Sequence, residues 1–201
     1  MILMHKLAKF KGKIFALTFE FIYGSRLVIG EDFRIYGKMP FIKLPFRGSG
    51  SISIGKHCHL VCSTKYNWIG ISAPVSICSY GGRIIIGDNV GISGAAIVSF
   101  DQVRIGAWTM VGSGALIIDS NFHSLDAGAR RSERVDSNYS DVISEAVNIG
   151  QDVFIGARSI ICKGVTLGDR AVVGAGVVLA RSLGEGQIAV TAAHRILDKK
   201  L

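Results

Sequence analysis

From residue 149 onward, aliphatic residues recur every sixth position: Ile149, Ile155, Ile161, Leu167, Val173 and Leu179. A second row, two residues earlier, holds Val147, Val153, Ser159, Val165, Ala171 and Val177, all small or β-branched. Gly150, Gly156, Gly168 and Gly174 directly follow four of the anchors. The same phase runs upstream through Ile86, Ile92 and Val98 and, after a slip of one residue, through Ile105, Val111 and Ile117, with a weaker trace at Ile54 and Leu60. Six is not a helical period, and an amphipathic helix would be weakened by glycine after every anchor. The pattern predicts a coil of three short strands, about 18 residues per turn, whose sixth residues point into a shared core. Gly87-Asp88-Asn89 and Gly168-Asp169 then fall at corners, where unusual backbone angles are needed. A β-sandwich is the alternative, but its strands vary in length where these do not.

At residue 123 the next anchor is due, and the residue there is His. The hexad is lost from that point until Val147 and Ile149, which predicts a polar loop extruded from the stack over residues 119–147. Long interruptions of a compact repeat are usually functional, and a rigid stack is a good mount for reactive groups. His123 is the candidate base, because a neutral imidazole titrates near neutrality and can take a proton from a hydroxyl. Asp119 and Asp126 are the nearest carboxylates that could orient it, with Glu133 and Glu145 farther along; either Asp could instead cap a turn or contact a substrate hydroxyl.

The segments 86–95 (IGDNVGISGA form), 148–157 and 164–176 resemble the hexapeptide-repeat acyltransferases, over roughly residues 50–183. The resemblance implies an all-β, left-handed parallel β-helix, an exception to the usual right-handed crossover. It also implies homotrimers with acyl-CoA in clefts between subunits. Around His123-Ser124-Leu125-Asp126 the chain is similar to the His-containing loop of sugar O-acetyltransferases, in which that His is the catalytic base. By the same resemblance the coenzyme groove would take Phe154, Ala157, Ala175, Ala180 and Arg181, the arginine meeting a phosphate. Ser93 and Asn121 would contact the acceptor. The tail departs from the family pattern: Ala189-Val-Thr-Ala-Ala-His194-Arg195 lacks its Gly and Pro, although His194, Arg195, Lys199 and Lys200 could still meet phosphate.

Composition narrows the picture further. The chain has 201 residues, 49% hydrophobic and 19% charged, which excludes a disordered chain. Net charge is +8, yet residues 1–48 hold nine Lys and Arg against Glu20, Glu31 and Asp32, leaving the remainder almost neutral, so no nucleic-acid partner is expected. The expected domains are a basic segment 1–48, a β-helix 49–183 and a tail 184–201. Leu3, Leu7, Phe10, Ile14, Leu17 and Phe21 recur at helical spacing, predicting an amphipathic helix within residues 1–22 that docks on protein or lies on an anionic membrane. Glu20 interrupts the apolar stretch and no cleavage site follows, which argues against a signal peptide.

The four cysteines, Cys58, Cys62, Cys78 and Cys162, lack the spacing of a secreted disulfide framework and suggest a cytoplasmic protein. Cys58 and Cys62 flank His59, with His57 adjacent, but a coil would turn these side chains apart, so no metal is expected. The resulting expectation is an acetyl-CoA-dependent O-acetyltransferase acting on a small-molecule or lipid-linked sugar or a cell-surface polysaccharide precursor. Serine or xenobiotic acceptors, or a non-catalytic β-helix scaffold, are the alternatives.

Overall fold

The computed structural model describes residues 2–45, 49–70, 73–136 and 141–191. After helix α1 (Ile2–Tyr23), the chain winds through three flat faces in strict rotation. The first face holds β1 (Leu27–Ile29), β4 (Ser51–Ile54), β7 (Arg83–Ile86), β10 (Gln102–Ile105), β13 (Val147–Ile149) and β16 (Thr166–Leu167). On the second lie β2 (Arg34–Gly37), β5 (His59–Cys62), β8 (Gly91–Ser93), β11 (Met110–Val111), β14 (Phe154–Ile155), β17 (Val172–Val173) and β19 (Ile188–Ala189). The third carries β3 (Phe41–Lys43), β6 (Ser76–Ser79), β9 (Ala96–Ser99), β12 (Leu116–Ile118), β15 (Ile160–Ile161) and β18 (Val178–Leu179). Every ladder between these strands is parallel, so the molecule is a triangular parallel β-helix.

Both six-residue rows point inward. Ile155, Ile161, Leu167 and Val173 are buried together with Val147, Val153, Val165 and Ala171, and the register stacks like on like: Ile117 on Ile161, Ile161 on Leu179. Outward-facing strand residues donate their amides to carbonyls of the following coil, as in Phe154 N to Ala171 O (3.0 Å) and Ile160 N to Val177 O (2.8 Å). The corners need left-handed backbone. At the corner between the first and second faces the αL residue is Asn89, Trp108, Asp152 or Arg170, each donating its N–H to the coil before. Most residues resist that conformation, and the recurring hydrogen bond offsets its cost.

The coil begins earlier than the expected boundary at residue 49. Strands β1, β2 and β3 pair with β4, β5 and β6, so residues 27–45 form the first coil and only α1 stands apart. The basic residues of this stretch, such as Arg34 and Lys43, lie outside the core, which is why charge made it look like an appendage. At the other end β19 extends the second sheet into what was expected to be tail.

Helix α1 packs on the first coil by a line that the sequence reading did not choose. Ala8 and Phe15 are buried, and Phe15 stacks on Phe19 (4.3 Å between centroids) and packs against Phe33. At Gly12 the helix presses so closely that a Cβ would stand 1.9 Å from the Phe33 carbonyl oxygen. The line expected to face protein or membrane, Leu3 to Phe21, is exposed throughout.

Candidate active site

The excursion leaves the third face after β12 and returns at β13, while the coils on either side pair as if nothing intervened: Val103 on Val147 and Ile105 on Ile149. Its base is closed by an antiparallel neck. Ser120 bridges Ser144, Asn121 N donates to Ile143 O (3.0 Å), and Glu145 N donates to Asp119 O (2.8 Å). Asp119 is the post of this neck. Wholly buried, its carboxylate accepts from Ser99 Oγ (2.7 Å), Phe100 N (2.7 Å) and Asp101 N (2.9 Å) of the preceding coil. Charge-assisted bonds of this kind are roughly twice as strong as neutral ones.

Beyond the neck the chain is not structureless, as the sequence had suggested. Phe122 takes a left-handed φ of 61°, and its ring meets Phe100 edge-on at 5.6 Å. His123 follows, exposed. Asp126 then caps helix α2 (Ala127–Asp136), accepting from Ala129 N at 2.8 Å in N-cap fashion, while Arg130 returns to the carbonyls of Ser124 and Leu125. Both candidate orienting carboxylates therefore hold backbone around His123. Asn121 sits in the neck, held there by its backbone bond to Ile143. Glu145 lies over Gly164, where a Cβ would come within 2.5 Å of its carboxyl carbon.

A column of rings, which the sequence reading missed, leads up to this point. Lys43 sits over Tyr80 (4.7 Å), Tyr80 stacks on Phe100 (5.0 Å), and Phe100 meets Phe122. Its signal was present: Ser79-Tyr80 and Ser99-Phe100 end equivalent strands of the third face.

Ser93, Phe154 and Ala157 come together. They line a cavity of about 200 Å³ on the second face, with Ser113, Met110 and Ile69. The loop after β5 folds back here, Gly70 O accepting from Ser113 Oγ. The glycines beneath allow close approach: a Cβ at Gly112 would meet Ala157 N at 2.6 Å. Ala157 and Ala175 do stack on one corner, Gly176 N donating to Ala157 O (2.9 Å). Ala180 and Arg181 lie across the third face from them, following β18 on the edge from which the excursion departs. A single chain does not gather these five residues in one cleft. The tail cations from His194 onward lie outside the described residues.

The cysteine–histidine cluster is dispersed by the coil. Cys58 and Cys62 are core residues, and burial pushes the Cys58 thiol up to about 11 and raises Cys62 as well. His57 turns to Asp32 (3.2 Å), whereas His59 stands on the outer second face beneath Gly91. Burial, aided by the Arg34 charge, lowers the His59 pKa. High-pKa buried thiols are poor nucleophiles.

Residues 146–181 match the family model described as "Hexapeptide repeat of succinyl-transferase". No curated protein matches the chain. Among solved structures, a point mutant of AntD, an N-acyltransferase from Bacillus cereus, in complex with dTDP and coenzyme A is 20% identical with a TM-score of 0.59, covering 87% of this chain and 84% of that one. Another AntD mutant, in complex with dTDP-4-amino-4,6-dideoxyglucose and coenzyme A, is 19% identical with a TM-score of 0.53 over the same shares. At such identities the likeness is one of fold. The chain carries the hexapeptide repeat and has the left-handed parallel β-helix fold of acyltransferases built on it.

Proposed function

We propose that the protein is an acetyl-CoA-dependent O-acetyltransferase acting on a hydroxyl of a sugar or a cell-surface polysaccharide precursor, with His123 as general base. The observation that carries this reading is the neck: Asp119 pins the excursion to the coil, and His123 stands exposed four residues beyond it. The neutral imidazole takes the hydroxyl proton as the oxygen bonds to the thioester carbonyl carbon. The tetrahedral intermediate then expels the coenzyme A thiolate, which receives that proton from the imidazolium. Such a base contributes roughly 10²–10⁴-fold. Phe154 on the second face and Ala157 at its corner, lining one cavity, suit the thin pantetheine arm, and Arg181 suits a phosphate.

Assembly belongs to the same reading. The donor residues are divided between two edges of the third face, so a neighbouring copy is needed to close a cleft around them; a homotrimer does this with three equal clefts. Free, buried thiols at Cys58, Cys62 and Cys78 suit a reducing cytoplasm.

The test is thiol release from acetyl-CoA with a panel of sugars and oligosaccharides, set beside serine. His123→Ala is expected to lose at least a hundredfold in kcat with an unchanged melting temperature, while Arg131→Ala, an exposed residue on α2, keeps its rate. Equal turnover by His123→Ala and the parent protein would overturn the role of His123. Absence of turnover with every acceptor would favour the scaffold reading.

A further inference from the structure

Helix α1 carries two apolar lines where a surface helix needs one. At about 100° per residue, Ala8, Gly12, Phe15 and Phe19 cluster on the side that meets the first coil. Leu3, Leu7, Phe10, Ile14, Leu17 and Phe21 cluster on the far side, roughly 150° round the wheel. None of the six is sheltered: Leu3 is 80% exposed, Phe21 92%, and the rest between 43% and 61%. A line of this kind, running from Leu3 to Phe21 and directed away from the protein, needs an occupant.

Charge says which. The helix holds Lys6, Lys9, Lys11 and Lys13 and one acid, Glu20, which turns inward to accept from Ile29 N (2.9 Å). Lys9 is paired with Asp32, and Lys11 reaches the Gly37 carbonyl. Lys6 and Lys13 fall within about 80° of the centre of the exposed line, one turn-pair apart on the same flank. The far flank opens at Met4 and His5 onto a groove of about 600 Å³ that also holds Lys65, Tyr66 and Trp68. Among the described residues no carboxylate lines that groove, and Trp68 is 99% exposed. Apolar line, cations beside it and an exposed Trp at the rim together match an anionic lipid–water interface, where acyl chains take the first, phosphates the second and the headgroup layer the third. A second copy of α1 would bring like charges against like.

We infer that α1 is an in-plane membrane anchor that binds the protein peripherally to bilayers rich in anionic lipid. No helix among the described residues is long and apolar enough to cross a membrane, so the contact is with one leaflet through this helix. The inference does not rest on the reaction proposed above.

Co-sedimentation of the full chain with vesicles tests it, using phosphatidylcholine alone or mixed with phosphatidylglycerol, at low and high salt. Parent protein should bind the mixed vesicles at least tenfold more than the neutral ones, and less in high salt. The double variant Phe10→Glu with Leu17→Glu should lose at least tenfold of that binding. Both positions are exposed, so an unaltered melting temperature is expected and is measured alongside. Lys6→Glu with Lys13→Glu should lose several-fold and flatten the salt dependence. Equal binding to neutral vesicles, or equal binding by the Glu variants, would overturn the inference. So would parent protein that ignores vesicles while the Phe10→Glu, Leu17→Glu chain falls to a smaller oligomer, since the line would then be a subunit contact.

Discussion

Between Val147 and Leu179 the chain repeats its own geometry every 18 residues, and each coil hands its amides to the next. Between Ser120 and Ser144 it departs from that system and, among the described residues, is joined to it at the neck and through the Phe122–Phe100 ring contact. The two regions are stabilised by different means. In the coils, side chains of one row pack on their equivalents above and below, so a lost methyl group is felt by two neighbours. In the excursion, order is local: a buried carboxylate, an N-cap and an αL turn fix a few residues each. The contrast implies that the stack sets stability, and the reading proposed above assigns reactivity to the excursion.

Ile155→Ala breaks the comparison most forcefully if it fails. Its side chain is fully buried between Val111 and Val173, so about 2–5 kcal/mol of stability should be lost. For a chain of this size that lowers the melting temperature by roughly 4–20 °C. Leu125→Ala, exposed on the excursion, should leave it within a degree or so. Calorimetry on both proteins checks the pair; similar losses would mean that the excursion is packed into the stack after all.

Asp119→Ala sits at the junction and should be intermediate. It strands Phe100 N and Asp101 N without their acceptor and opens the neck, costing about 3 kcal/mol. Unlike Ile155→Ala, it should also detach the geometry of His123 from the coil, so turnover falls even at temperatures where the chain is fully folded. Urea unfolding measured beside turnover separates the two effects. Asp126→Ala should cost about 1 kcal/mol, confined to the first turn of α2, because it removes one N-cap bond. Hydrogen exchange in residues 127–131 should quicken while that of Val147–Leu179 stays unchanged; a global change would show the two regions to be one cooperative unit.

How far each region could be read beforehand follows from the same division. Both rows from Val147 to Leu179 were legible, because a period of six with small residues two places earlier has only one way to stack. The first coil was not. Leu27 to Phe33 and Ile29 to Ile35 keep the hexad, but Ile42 follows Ile35 by seven, and the surrounding lysines and arginines are outward residues that read as a charged appendage. In α1 the strong pattern of large side chains concealed a second line containing Ala8 and Gly12, whose value lies in being small enough to let the helix touch Phe33. The placement of His123 on the excursion was legible because it breaks the repeat at a position due to be aliphatic. The duties of Asp119 and Asp126 were not, as an aspartate bonded to backbone has the same sequence signature as one poised beside an imidazole.

The smallest effect tests whether the coil's outer faces share the insulation of its core. His59 is held below its ordinary pKa, first by burial against β8 and then by the Arg34 charge. A histidine depressed in the folded state binds its proton more readily when unfolded. The linkage therefore favours unfolding as pH drops below the ordinary histidine value of about 6.5, and levels off once the folded ring also titrates. Asp32 acts in a separate, more acidic window: hydrogen bonding to Arg34 lowers its pKa, so the stability it contributes is present above about 4 and is lost as the pH falls further. Thermal melts between pH 7 and 4.5 should thus show a shallow decline for the parent protein and a flatter line for His59→Gln. An identical slope in both would mean that the face beneath Gly91 is open enough to hydrate the charged ring, and that the stack excludes water only from its centre.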